Sequence, residues 1–142
     1  MLDLSEAQIV ELLNRIEFRG GNFIKTADQY EHYDAENFDN IVEIKIRYQD
    51  YDKHIIERFK YERNIEHSLN TGRRFYYVVN YNEYLYVWDI NYLDSINYNY
   101  YWKTKKLAKT TYFKNNNEIP KVVGYLEKHF ALIINLKTAE LI

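Results

Sequence analysis

The sequence predicts a single α/β domain over residues 1–142, in which a mixed β-sheet is flanked by helices. Three observations lead there. A chain of 142 residues has the length of one domain and can bury roughly two-thirds of its unfolded surface. Its 46% hydrophobic and 28% charged content, with few glycines and one proline, is that of a globular chain with no long disordered region. Helical and strand-like apolar spacings alternate in the order helix, strands, helix, strands.

Ser5 can cap a helix from Glu6 to about Phe18, with Ile9, Val10, Leu12, Leu13 and Ile16 at helical spacing. Arg19-Gly20-Gly21 ends it, with a glycine at the left-handed position that follows many helices. Residues 22–36 predict one or two short strands, the second ending near Asp34 to Glu36. Asn37 to Asn40 predicts a hairpin turn, because Asn and Asp tolerate left-handed backbone and bond to it. From Ile41 to Arg47 the chain alternates, Val42, Ile44 and Ile46 on one face and Glu43, Lys45 and Arg47 on the other. Asp50 or Asp52 is the expected cap of a second helix, which carries Ile55, Ile56, Phe59 and Ile65 and stops at Asn70-Thr71-Gly72. Two aromatic and β-branched strands follow over 74–81 and 83–91. Residues 91–118 read as mostly loop, 119–128 as a strand, and 130–142 as an apolar closing element of either type.

Composition excludes several functions. There is no cysteine, which removes disulfides and thiolate zinc sites. No apolar run approaches the roughly 20 residues that span a bilayer, and the opening residues lack the basic and apolar regions of a secretion signal. A soluble, cytoplasmic protein with no membrane partner is the expectation. A net charge of −2 announces no nucleic acid, but the charge is uneven. Tyr101 to Lys114 holds five lysines and no acid. Lys103, Lys105, Lys106 and Lys109, with Thr110 and Thr111, fit either a phosphate-contacting segment or an exposed charged loop.

The stretch 34–47 carries the most chemistry. A hairpin at 37–40 returns Asp34 beside the strand bearing Glu43 and Lys45. Two carboxylates at adjoining strands can hold Mg²⁺, for which Mn²⁺ can substitute; the ion prefers oxygen ligands and keeps several waters. Such an ion polarises a phosphate oxygen and acidifies a bound water. Lys45, two residues beyond Glu43 and so on the same face, could stabilise negative charge developing on phosphorus. The same residues also fit two solvent-facing strands with cross-strand charge pairing. Glu36 is a spare acid that could replace Asp34, and Asp39 suits the turn.

Asp34, eight intervening residues and then Glu43-Ile44-Lys45 resembles the signature of the PD-(D/E)XK nuclease superfamily. The helix, hairpin, strand, helix and strand across residues 5–90 match the order of its restriction endonuclease-like αβββαβ core. No proline precedes Asp34, a departure from the usual pattern. The resemblance implies a Mg²⁺-dependent deoxyribonuclease, an endonuclease acting on DNA, with Asp34, Glu43 and the Ile44 carbonyl as metal ligands and Lys45 as the catalytic lysine. It implies a homodimer where both strands are cut. Some members place a first-helix glutamate near the metals; Glu6 borders the apolar face and is preferred over Glu11 and Glu17 for that place. Lys60-Tyr61 and Lys109-Thr110-Thr111 resemble patterns in small phage or mobile-element members, which implies an active-site lysine at 60 and, for a phage-encoded chain, the host cytoplasm as its location. The competing expectation is a catalytically inactive module of the same fold that binds a host protein through its tyrosine-rich surface.

Overall fold

The Ser5 hydroxyl accepts the Gln8 N–H at 3.1 Å while the Gln8 side chain accepts the Ser5 N–H at 2.8 Å. This reciprocal capping box starts α1 (Glu6–Arg15). The helix stops before Phe18, and Glu17, at φ 54°, takes the left-handed corner expected of a glycine. The Asn14 side chain enforces the reversal by bonding both the carbonyl and the N–H of Phe23, at 2.9 and 2.7 Å.

A computed structural model describes residues 2–26, 32–108, 118–138 and 140–141. The expected hairpin is present: β1 (Ile24–Lys25) pairs antiparallel with β2 (Ala35–Glu36), and β2 with β3 (Asn40–Arg47). Asn37 closes the turn by accepting the N–H groups of Asp39 and Asn40 at 3.1 and 2.8 Å. The second helix differs from expectation. Residues 53–57 form a strand, β4 (Lys53–Glu57), and α2 (Arg58–Thr71) begins only after it, with neither Asp50 nor Asp52 as its cap. Adjacent Ile55 and Ile56 suit a helix or a strand; the period of two wins because His54 and Ile56 are buried while Lys53 is exposed. Gly72, at φ 73°, ends α2 as expected.

β5 (Arg74–Tyr81) lies parallel to β3, with Glu43 opposite Tyr77 and Lys45 opposite Val79, and β6 (Tyr84–Asp89) folds back on it. The stretch expected to be loop contains two elements. α3 (Ile90–Ser95) is capped by Asp89, and β7 (Lys103–Ala108) pairs with β8 (Glu118–Glu127). The closing element is strand: β9 (Leu132–Asn135) on β6, and β10 (Glu140–Leu141) on β9.

The result is a seven-stranded mixed sheet, β1-β2-β3-β5-β6-β9-β10, and a three-stranded antiparallel sheet, β4-β8-β7. The chain is therefore mixed α/β. Alternation along β3 and β5 splits the core in two. Val42, Ile44, Tyr76 and Val78 pack with Ile9, Val10 and Leu13 of α1. Ile41, Phe75, Tyr77 and Val79 pack on the opposite face with Trp88, Leu93, Ile56 and Leu126. Glu43, Lys45 and Arg47 share this second face, towards α2 and the smaller sheet. Among the described residues no helix is long and apolar enough to cross a membrane.

Candidate active site

The β2–β3 ladder ends at Ala35 opposite Val42, followed by one bond from the Asp34 N–H to the Val42 carbonyl at 2.8 Å. The next N–H on that edge of β3 belongs to Ile44, beyond the reach of β2. Asp34 Oδ2 accepts it at 2.7 Å. A carboxylate thus finishes the ladder where the strand partner runs out. The Ile44 carbonyl leaves β3 on the same edge as its N–H, the side Asp34 occupies.

Glu43 is 2% exposed, and its Oε1 takes Lys60 Nζ of α2 at 2.9 Å and Lys45 Nζ at 3.5 Å. At the end of β4, Glu57 pairs with Lys121 of β8 at 2.8 Å. Burial pushes the Asp34 carboxyl up to about 7; the negative charges of Glu43 and Glu6 add to the rise, and the Ile44 N–H and Lys60 oppose it. Burial also lowers Lys45, with the Lys60 charge adding to the fall and Glu43 resisting it. For Lys60 burial works against the charged form, but Glu43 outweighs it and holds the ammonium above its usual range. Glu57 is held low despite its burial, through its bond to Lys121.

Asp34 at the margin of β2, Glu43 and Lys45 of β3, and Lys60 of α2 are thereby brought to one place by three elements. Glu6 joins its rim, close enough for its charge to act on Asp34, while its carboxylate bonds Lys25 at 3.0 Å. Glu11 instead pairs with Arg15 on the exposed face of α1, and Glu17 sits in the left-handed corner. Glu36, the spare acid, pairs with Arg73 at 3.5 Å, and Arg74 pairs with Asp89 at 2.7 Å. Tyr61 packs against the stacked Tyr100 and Trp102 rings and bonds Asp94. Trp88 is fully buried and has no face for a base.

The lysine segment divides. Lys105 stands opposite Lys121 in the β7–β8 register, Lys103 lies over the Tyr125 ring at 5.2 Å, and Lys106 alternates to the other face of that sheet. Lys109, Thr110 and Thr111 lie outside the described residues. Sequence reasoning missed Lys121 and put Glu57 in a helix, where its spacing to Tyr61 resembles a Gln-x-x-x-Tyr pattern of RecB-like nucleases with Glu in place of Gln. The alternation of Lys53, Ile55 and Glu57 against His54 and Ile56 was the available signal, masked by the adjacent isoleucines.

Among the described residues no group of three or more His, Cys, Asp or Glu side chains is arranged to hold a metal ion. The oxygens available at this end of β3 are the Asp34 and Glu43 carboxylates and, by strand geometry, the Ile44 carbonyl. That set suits Mg²⁺, which commonly takes one or two protein carboxylates and fills its octahedron with water. Burial is the main cause of the rise at Asp34, and the Glu43 repulsion that adds to it is the kind a divalent cation relieves. No known family model matches the chain, and it has no significant similarity to any curated protein with which it was compared.

Proposed function

We propose that the chain is a divalent-cation-dependent nuclease that hydrolyses DNA phosphodiester bonds, with a restriction endonuclease-like arrangement of the PD-(D/E)XK kind. One observation carries the reading: Asp34 caps the Ile44 N–H beside buried Glu43, with Lys45 and Lys60 on the same carboxylate. An ordinary solvated strand pair has no reason to bury two acids together, because the desolvation of each charge is costly.

Asp34, Glu43 and the Ile44 carbonyl would hold Mg²⁺, which supplies Lewis-acid polarisation of the phosphate and activation of water when bound. The protein's own groups do the rest. Asp34 gives up its proton near neutral pH, so cation affinity rises through that range. Lys45 Nζ, held by Glu43 at the pocket wall, stabilises negative charge growing on the phosphate oxygens. Lys60, now paired with Glu43, would be available to a phosphate oxygen where a cation neutralised that carboxylate. The β3 backbone keeps these atoms in fixed relation, so little reorganisation accompanies the reaction.

A second reading has its own support. Lys60 and Lys45 already neutralise Glu43, as they would in a nuclease-like fold kept only to bind a host protein. Incubation of the pure protein with supercoiled, linear, single-stranded and branched DNA separates the two. With Mg²⁺ or Mn²⁺ present, products that vanish with chelator and in Asp34→Ala are expected. No metal-dependent product on any substrate would leave the binding module standing.

A further inference from the structure

Beside the acid cluster, between the end of β3 and the three-stranded sheet, lies a cavity of about 450 Å³. Lys45 belongs to both places: it bonds Glu43 on one side and lines the cavity on the other. The remaining cations of the wall are Arg47, Lys53, Lys105 and Lys121, against a single carboxylate, Glu57. Glu57 is bound by Lys121 and Lys53 by Glu127. Arg47 and Lys105 have no carboxylate within ion-pair distance among the described residues. Among the described residues the wall therefore carries more positive than negative charge.

The rest of the lining is aromatic and aliphatic, with one histidine. Tyr51, Tyr77 and Tyr125 contribute rings, and Ile55 and Leu107 apolar surface. His54 also lines the cavity, and neither ring nitrogen has a hydrogen-bond partner among the described residues although the residue is 1% exposed. Asp50 Oδ1 lies 3.8 Å from Nε2, but burial and the Lys128 charge push the imidazole down to about 4, so that contact is no ion pair at neutral pH. A neutral imidazole offers one donor and one acceptor, both unused among the described residues. The volume falls in the ordinary range for a small ligand, about 300–1,000 Å³, enough for one nucleotide unit and too little for a duplex.

We propose that this cavity receives one unpaired nucleotide unit, its phosphate on Arg47 and Lys105 and its base against the tyrosines, so that the substrate offered to the acid cluster is an unpaired strand or strand end. The second half rests on the nuclease reading given above; the first half does not, because occupancy can be measured without cleavage. An unpaired strand can place a base on an aromatic wall, whereas a base pair buries the same face in its own stack. The phosphate next along the strand would then lie towards Lys45, at the margin of the Asp34–Glu43 pair.

The test uses the whole chain in chelator, so that no phosphodiester is cut. A labelled single-stranded oligonucleotide of about 12 nucleotides and the corresponding blunt duplex are titrated by fluorescence anisotropy, and a deoxynucleoside monophosphate is added as competitor. The single strand is expected to bind at least tenfold more tightly than the duplex, and Tyr51→Ala and Lys105→Glu each to weaken it about tenfold. Both side chains are substantially exposed, and circular dichroism confirms that the variants fold. Lys137→Glu, in the exposed turn after β9, matches the charge change and is expected to leave the affinity unaltered.

Equal affinity for duplex and single strand, or no response to either cavity variant, overturns the proposal. A monophosphate that binds as tightly as the oligonucleotide overturns the strand substrate and assigns the cavity to free nucleotide. A parallel Mg²⁺ cleavage assay separates this from the nuclease reading. Tight, variant-sensitive binding without any cutting removes the nuclease and keeps the cavity; cutting of blunt duplex that ignores both variants removes the cavity and keeps the nuclease.

Discussion

Glu43 and Lys105 stand on different sheets, and their surroundings differ in kind. Glu43 is 2% exposed, shares Oε1 with two ammonium groups, and sits beside an acid whose proton is held to about pH 7. Lys105 is exposed and has no carboxylate partner among the described residues. Buried charge is fixed in direction, because every neighbour constrains it, and that is what bond-breaking chemistry needs. Exposed charge is free to follow a ligand and supplies attraction, not geometry. The acid cluster and the lysine-bearing sheet thus divide the work, with Lys45 touching both.

The comparison breaks most sharply at the acid end. Asp34→Ala and Lys45→Ala are each expected to lower Mg²⁺-dependent cleavage about a thousandfold while circular dichroism stays unchanged. Retained cutting in both would refute the assignment. Glu43→Gln keeps the volume but leaves Lys45 and Lys60 without a counter-charge. Those lysines are partly exposed, at 19% and 32%, so the loss expected in urea is on the order of 2 kcal/mol, below that of a fully buried pair. An unchanged midpoint would mean that the network adds nothing to the fold.

Asp34 gives a pH signature. Its folded-state value of about 7 stands above the 3.8 of an unperturbed group, so the folded chain binds the proton more tightly. This contribution is full below about pH 4 and is lost as pH rises through 7. Without metal, Asp34→Asn is therefore expected to be more stable than the parent at pH 8, on the order of 2 kcal/mol, and level with it at pH 4. Ca²⁺ should raise the melting temperature of the parent at pH 8 and not that of the variant. Equal pH profiles would show that Asp34 is not strained.

The lysine-bearing sheet is seated through Gly124 of β8, where an added Cβ would lie 2.8 Å from both a Trp102 ring carbon and the Tyr100 Cβ. Gly124→Ala is expected to cost about 1–3 kcal/mol by displacing those rings, read as a lower thermal midpoint. The smallest effect separates the two faces of β7. Lys105→Gln should reduce the salt dependence of DNA binding by about one counter-ion, and it should do so with no change in stability.

Much of this was legible in the sequence because it is local. The alternation of Val42, Ile44 and Ile46 against Glu43, Lys45 and Arg47 fixes which residues share a face, and the Asn37–Asn40 turn brings Asp34 back. Ser5, through its hydroxyl, and Gly72, through its left-handed backbone, mark helix ends without a distant partner. What escaped depends on distant partners. β4 exists because β8, some seventy residues later, supplies its ladder, and nothing near Ile55 and Ile56 distinguishes a strand from a helix. Among the described residues β7 likewise pairs with β8 alone, so its lysines read as loop. The cavity escaped for the same reason, since Arg47, Tyr51, Lys105 and Tyr125 come together only through that second sheet. The element order of a mixed α/β domain was readable; the mates of its short strands were not.

The carboxylate that completes the β3 ladder has a spectroscopic consequence. In a regular sheet an amide hydrogen is held by another peptide carbonyl, whose electron density hardly varies with solution conditions. The Ile44 amide is held by Asp34, whose charge changes with protonation and with cation coordination. Its nitrogen and proton resonances should therefore titrate near neutrality and move again on adding a divalent ion, while the neighbouring amides of β3 stay still. One backbone signal would report the occupancy of the pocket without any nucleic acid in the tube.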